Sequence, residues 1–217
     1  MGGICGLVRF PNTNPKDLDL LRRVNARLAH RGPDDEGCWA EGPAALAMRR
    51  LAVIDLRTGH QPMANETGEL RLVFNGEVYN FRALRRGLDK RGHRFASQSD
   101  ADTVLHLLVE ESGSDLRPYW RLALRPEGRP GWGIEEWSAA LRAALGAAVV
   151  RQMVSDVPLG AFLSGGLDSS AVVAFMAGAS RQPVRTFCVA FRGWPGLDET
   201  PHARRVARYL GTAHREI

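Results

Sequence analysis

Apolar residues recur along the chain with two periods, and the changes between them mark out its elements. Ile4 to Phe10 suits a first strand. Asn14-Pro15 then supplies a cap and an N1 proline, and Leu18, Leu21, Val24 and Leu28 predict a helix with one apolar face. His30-Arg31-Gly32-Pro33 should end it, and Arg31 to Gly37 reads as a polar turn. Leu46 to Asp55 predicts a strand containing Arg49-Arg50. Leu70 to Phe74 predicts another, closed by the tight-turn signal Asn75-Gly76. Asn80 can cap a helix whose Phe81, Leu84 and Leu88 share a face. A further helix begins near Ser99-Asp100 and carries Val104, Leu107 and Leu108. Strands and helices are mixed here without strict alternation, which is an α+β pattern.

The second half reads differently. Arg125 to Gly133 is rich in Pro and Gly, as a linker is, and Trp137 to Met153 makes an amphipathic helix. A short apolar strand from Val157 to Leu163 leads into the small residues Ser164 to Ser170, then the apolar helix Ala171 to Gly178. Val184 to Phe191 reads as the next parallel strand. Glu199-Thr200-Pro201 opens a helix through Leu210, closed by Gly211, and Ala213 to Ile217 begins a third strand. Strict alternation predicts an α/β unit with parallel strands. The expected division is 1–115, a linker over 116–135, and 136–217.

Composition narrows the class. Hydrophobic residues make up 44% and charged residues 24%, as in an ordinary globular protein. No apolar run approaches ~20 residues, so no membrane span is expected. No signal-peptide pattern opens the chain, and cytoplasm is the expected location. The net charge of +5 is carried by scattered arginines, with only Lys16 and Lys90 as lysines, so nucleic acid is not expected as a partner. Cys5, Cys38 and Cys188 show neither metal-ligand spacing nor a disulfide framework.

The stretch with the clearest chemistry is Ser164-Gly-Gly-Leu-Asp-Ser-Ser170. Gly165 and Gly166 lack Cβ atoms and allow close approach of a ligand. Ser164, Ser169 and Ser170 add hydroxyls where the first free amides of a helix point, a ready site for phosphate. Asp168 would repel phosphate unless it caps the helix or a divalent cation lies between them. No Lys follows the glycines, so this is not the G-x-x-x-x-G-K-[ST] loop.

That run resembles the pyrophosphate-binding loop of ATP pyrophosphatases. With Val154-Ser-Asp-Val-Pro-Leu-Gly-Ala-Phe-Leu163 before it, it is similar to glutamine-hydrolysing asparagine synthetases. Four motifs of the first half resemble the glutaminase domain of the same family, in order and spacing. They are Arg31-Gly-Pro-Asp-Asp-Glu-Gly37, Arg50-Leu-Ala-Val-Ile-Asp55, Phe74-Asn-Gly-Glu-Val-Tyr-Asn80 and Ser99-Asp100. The resemblance implies an incomplete α+β sandwich of the N-terminal-nucleophile type, followed by a Rossmann-like α/β ATP-pyrophosphatase unit. It implies that Arg50 meets the glutamine α-carboxylate, a task suited to a bidentate guanidinium. Glu77 and Asp100 would hold the α-ammonium, and Asn75 with Gly76 would form an oxyanion hole. Ser164, Gly165, Gly166, Asp168, Ser169 and Ser170 would hold ATP and Mg²⁺, with Asp168 at the metal. Leu163 and Val189 would line the adenosine pocket. The implied reaction amidates aspartate through aspartyl-AMP with ammonia from glutamine.

Three departures qualify the resemblance. The family's nucleophile is a cysteine after the initiator Met, whereas position 2 here is Gly. Cys5 lies three residues along a strand, ~10 Å away on the opposite face, and reads as a core residue. After Leu107 to Asp115 the family's runs like R-G-M-F-A-F-A and R-D-R-L-G are absent, which places an internal gap near Ser112 to Asp115. The family's chain also continues beyond the third parallel strand. The chain therefore reads as a synthetase with an internal deletion and an early end. The alternatives are a cysteine-less relative of the β-lactam synthetase or lasso-peptide cyclase kind, or a non-catalytic ATP- or glutamine-binding remnant.

Overall fold

A computed structural model describes residues 2–110, 121, 131–191, 193–194 and 196–217. The chain divides into two compact units, Met1–Trp120 and Arg121–Ile217. The expected junction at Ser112–Asp115 and most of the expected linker lie outside the described residues.

In the first unit β1 (Gly3–Val8) and β2 (Asp35–Glu41) flank β3 (Ala44–Arg50) in an antiparallel sheet, with α1 (Pro15–Arg27) packed on it. Asn14 caps α1 as its sequence suggested. Its side chain accepts from the Lys16 and Asp17 amides at 2.9 and 3.2 Å, and the Asp17 carboxylate accepts from the Asn14 amide at 3.0 Å. Such a cap contributes about 1 kcal/mol.

The buried stripe of α1 differs from the expected one. Leu21 is buried, but its companions one turn away are Asp17 and Asn25, while Val24 is 43% exposed. Polar contacts set the rotation. Asp17 pairs with Arg9 at 2.7 Å, and the Asn25 amide donates to the Met48 carbonyl at 3.3 Å. Leu21 packs with Ala45 and Ala47, whose small side chains let the helix approach the sheet, and Cys5 packs against them.

Segment Asp35–Glu41, whose first residues Asp35 to Gly37 belong to the expected turn, is a strand. It is an edge strand whose exposed positions mix Glu36 and Glu41 with Cys38 and Ala40, and pairing with β3 rather than composition decides its conformation. The strand expected over Leu46–Asp55 ends at Arg50, because the following loop folds back over the Arg50 side chain.

Beyond the loop, β4 (Met63–Ala64) pairs with β5 (Arg71–Leu72). No strand follows Asn75-Gly76; the chain runs instead into α2 (Phe81–Lys90), so these residues form no hairpin. Phe81 and Leu88 are buried on α2 as expected. In α3 (Asp100–Glu110) the fully buried side includes Asp102, Thr103, Leu105 and His106, while Val104, Leu107 and Leu108 are half-buried.

The second unit follows its predicted alternation: α4 (Ile134–Arg151), β6 (Gly160–Phe162), α5 (Leu167–Ala179), β7 (Arg185–Cys188), α6 (Thr200–Leu210) and β8 (Ala213–Glu216). The three strands are parallel in the order β6-β7-β8. Leu163, Val173, Cys188, Ala203 and Ala207 form its core. Gly211 ends α6 at φ 65°, the left-handed conformation that favours glycine. The protein is thus a mixed α/β chain with a parallel sheet in its second half. No described helix is long and apolar enough to cross a membrane.

Candidate functional site

Strand periodicity aims Arg50 into a cleft. Ala45 and Ala47 face α1, so Met48 and Arg50 face the other side of β3. There they line a cleft of about 380 Å³, counting its open mouth, with Gly2, Asn75, Gly76, Glu77 and Asp100. Five of the predicted positions and the nucleophile position therefore converge.

Each side chain is held by local structure. Arg50 Nη2 donates to the Ile54 and Asp55 carbonyls at 2.8 and 2.7 Å. Asp55 has φ 56°, and its carboxylate accepts from the Thr58 amide at 2.8 Å and the Gln98 amide at 2.7 Å. Burial raises the Asp55 pKa, but hydrogen bonds led by those from Thr58 outweigh it, and the net shift is downward. Gly59 completes the cradle, since a Cβ there would lie 2.7 Å from Arg50 Cζ. Nothing in the sequence marks Gly59 for this purpose. Both bidentate edges of a guanidinium run through Nη2, so an incoming carboxylate meets the resting Arg50 through Nη1, unless the loop yields. The bidentate expectation is not met by the resting geometry.

Asp100 begins α3, and its Oδ2 accepts from the Val78 amide at 2.7 Å. Glu77 lies beside it with Oε2 buried and without a hydrogen-bond partner. Burial pushes the Glu77 pKa up, the neighbouring Asp100 pushes it further, and Arg50 opposes them, for a value of about 7. Glu77 and Asp100 are close enough to share a hydrogen bond, and once both are ionised the pair suits an incoming ammonium group.

Asn75 Nδ2 donates to the Gly2 carbonyl at 3.1 Å, and Arg31 Nε donates to the same oxygen at 3.0 Å. Gly2 is buried, and a Cβ on it would overlap the Arg49 carbonyl oxygen. No cysteine replaces the missing nucleophile. Burial is the first cause of a raised pKa at Cys5, Cys38 and Cys188, the opposite of an activated thiol.

A second candidate site lies in the other unit, at the carboxyl ends of the parallel strands, where open α/β sheets bind ligands. Gly165 takes φ 82°, and Gly166 is the N-cap of α5. Ser164 and Ser169 hydroxyls are 2.9 Å apart, and the Gly166 amide donates to Ser164 Oγ at 3.2 Å. No side chain caps α5, so Asp168 does not act as its cap. Asp168 is exposed, and Ser170 Oγ is buried without a partner. Uncapped amides and an orphaned hydroxyl fit an anion such as phosphate. Leu163 packs fully into the core, which leaves only its backbone for a ligand. Val189 follows β7 at the same sheet end and is 47% exposed.

A family model described as a glutamine amidotransferase domain matches residues 1–119. The chain belongs to this family. A second model, described as asparagine synthase, matches residues 140–217, so the phosphate-type loop lies outside the amidotransferase match. The chain is 30% identical to an asparagine synthetase [glutamine-hydrolyzing] of Brassica oleracea, over an alignment of 298 positions that covers 100% of this chain and 50% of that one. A namesake from Sandersonia aurantiaca is also 30% identical, with 100% and 56% covered. A probable asparagine synthetase of Dictyostelium discoideum is 29% identical, with 98% and 54% covered. The chain spans about half the length of the curated relatives it matches. The Brassica alignment is 81 positions longer than the 217 residues of this amidotransferase-family chain (298 less 217), as an internal gap requires.

Proposed function

We propose that the chain is an asparagine-synthetase-type protein whose first unit recognises glutamine without hydrolysing it and whose second unit holds ATP. The convergence of Arg50, Glu77, Asp100, Asn75 and Gly76 around Gly2 carries this reading. Arg50 would attract the α-carboxylate, while Glu77 and Asp100 would take the α-ammonium. Asn75, whose Nδ2 now donates to the Gly2 carbonyl, and Gly76 would take the amide oxygen. In fold terms we take residues 1–115 as a reduced glutaminase unit of the N-terminal-nucleophile type. Residues 136–217 would be part of a Rossmann-like ATP-pyrophosphatase unit, in a cytoplasmic protein acting on small molecules. The names of the relatives favour this reading over the cysteine-less cyclase type.

In the second unit Ser164, Ser169, Ser170 and the amides from Leu167 onward would bind phosphate oxygens, with Mg²⁺ between them and Asp168, and Gly165 and Gly166 giving the loop its shape. When bound, ATP would supply the adenylyl group that activates the aspartate carboxylate. Glutamine binding by the intact chain, measured calorimetrically, should weaken at least tenfold in Arg50→Lys, because lysine cannot hold the Ile54 and Asp55 carbonyls and face the cleft together. Asp168→Ala should weaken ATP binding with magnesium present and, by removing a charge that repels phosphate, strengthen it without magnesium. Equal glutamine affinity in wild type and Arg50→Lys would overturn the first assignment, and magnesium-independent loss in Asp168→Ala the second.

The raised Glu77 pKa gives a signed pH dependence. The empty native unit keeps a proton up to about pH 7 that the unfolded chain releases at the ordinary Glu value, so its stability falls as pH rises between them. An ammonium ligand reverses the preference, since it needs Glu77 ionised. Glutamine affinity should therefore rise up to about tenfold per pH unit below roughly pH 7 and level off above it. Glu77→Gln should bind weakly at every pH. A flat profile in the wild type would show that the carboxyl pair is not the ammonium site.

A further inference from the structure

Away from the cleft, three side chains from separate elements point ligand atoms at one another. Glu66 lies in the turn between β4 and β5, His93 follows α2, and His106 is on α3. The two Nδ1 atoms are 3.1 Å apart, and Glu66 Oε1 is 3.4 Å from His106 Nδ1 and 3.8 Å from His93 Nδ1. A tetrahedral zinc site with bonds of about 2.0–2.1 Å has ligand separations of about 3.3–3.4 Å. The triangle needs only small adjustments to accept a metal.

Hydrogen inventory strengthens the geometry. His93 Nε2 lies 3.1 Å from Glu110 Oε1, and His106 Nε2 lies 3.5 Å from Asp102 Oδ1, a buried oxygen with no hydrogen-bond partner. Each ring thus presents Nε2 to a carboxylate, which favours a proton on that nitrogen. Neutral rings of that tautomer turn bare lone pairs on Nδ1 toward each other and toward the Glu66 oxygen. Two ring acceptors and a carboxylate oxygen then face one another, an arrangement that a bound cation satisfies. A carboxylate behind each metal-facing histidine is also the arrangement that fixes tautomer and orientation in zinc sites. The Glu66 position is set too, since its Oε1 accepts from the Arg94 amide at 3.2 Å.

We propose that Glu66, His93 and His106 form a binding site for a divalent transition-metal ion of zinc type, with Asp102 and Glu110 orienting the two imidazoles. His106 is 1% exposed and Glu66 is exposed, so the fourth position opens toward solvent on the Glu66 side. The ion would tie the β4–β5 turn and the segment after α2 to the helix that Asp100 begins.

The test uses the full chain stripped with chelator and dialysed against Zn²⁺, then Co²⁺. One ion per chain is expected, with a Co²⁺ spectrum of tetrahedral nitrogen–oxygen ligation and no thiolate charge-transfer band. His93→Gln should lower affinity at least about 100-fold and Glu66→Gln about tenfold, in the range seen for perturbed metal shells. Glu66→Gln sits in an exposed turn and does not threaten folding, so it serves should His93→Gln unfold. Sub-stoichiometric binding, unchanged affinity in Glu66→Gln, or a thiolate band pointing to the cysteines would each overturn the site.

Discussion

Gly2→Cys is expected to release no ammonia from glutamine and to be less stable than the wild type, although it restores the residue type on which the family's chemistry depends. Gly2 is packed so closely on β3 that a Cβ would overlap the Arg49 carbonyl oxygen and stand 3.2 Å from Arg50 Cα. Backbone atoms cannot rotate away as a side chain can. Either the chain before β1 lifts off, or β3 shifts, at about 1–3 kcal/mol for such overpacking. Lifting off also breaks the bonds from Arg31 and Asn75 to the Gly2 carbonyl, which hold that residue in the cleft. The thiol would then arrive at the wrong place, and a misplacement of 1 Å alone can cost about 100-fold.

The control is Gly2→Ala, which adds the same Cβ without a sulfur. Both variants should show the same lowered thermal midpoint, and neither should form glutamate above a heat-killed sample. Hydrolysis by Gly2→Cys but not Gly2→Ala would mean that the cleft tolerates the nucleophile. The wild type would then be inactive for want of one atom.

How much of this was legible beforehand follows from what each feature depends on. Helix ends written in local chemistry came through at Asn14 with Pro15 and at Gly211 after Leu210, whereas the Asn80 side chain makes no cap to α2. The alternation after Val157 came through as the parallel sheet because its helices and the turns between elements are marked locally, although β6 and β8 are mostly exposed. Features fixed by partners did not come through. The start of the strand, Asp35 to Gly37, looks like a turn until β3 pairs with it, and the inward stripe of α1 is chosen by Arg9 and Met48 rather than by its leucines.

The same division holds at the site. Arg50, Glu77 and Asp100 carry motif identity and could be named; Gly59 and the Ile54 carbonyl could not, because their contribution exists only once the loop closes on Arg50. His93 and His106 sit on no recognisable spacing with Glu66, and the packing of α3 against α2, β4 and β5 brings the three together.

Gly165→Ala is expected to abolish phosphate binding in the second unit and to destabilise that unit by roughly 3 kcal/mol. Two costs add. At φ 82° an alanine is strained by about 1 kcal/mol or more relative to glycine. Its Cβ would also lie 2.5 Å from the Ala203 amide nitrogen and 2.7 Å from His202 Cβ, in the first turn of α6. That contact is with backbone, so the loop must move away from α6, and overpacking of this kind costs about 1–3 kcal/mol. Movement of residue 165 breaks the link between Ser164 Oγ and the Gly166 amide and displaces the hydroxyl pair Ser164 and Ser169. The amides of the first α5 turn then no longer converge with the hydroxyls on one anion.

Gly178→Ala makes the contrast. It lies near the end of α5 with nothing within 4 Å of the added Cβ, and replacing a helical glycine there should stabilise by about 0.5–1 kcal/mol without touching the loop. Thermal unfolding and calorimetric titration with magnesium pyrophosphate on both variants decide the matter. Gly165→Ala with wild-type pyrophosphate affinity would remove the loop from the phosphate site, whatever its stability. Parallel loss of binding in Gly178→Ala would show that the whole unit, rather than the loop conformation, governs the affinity.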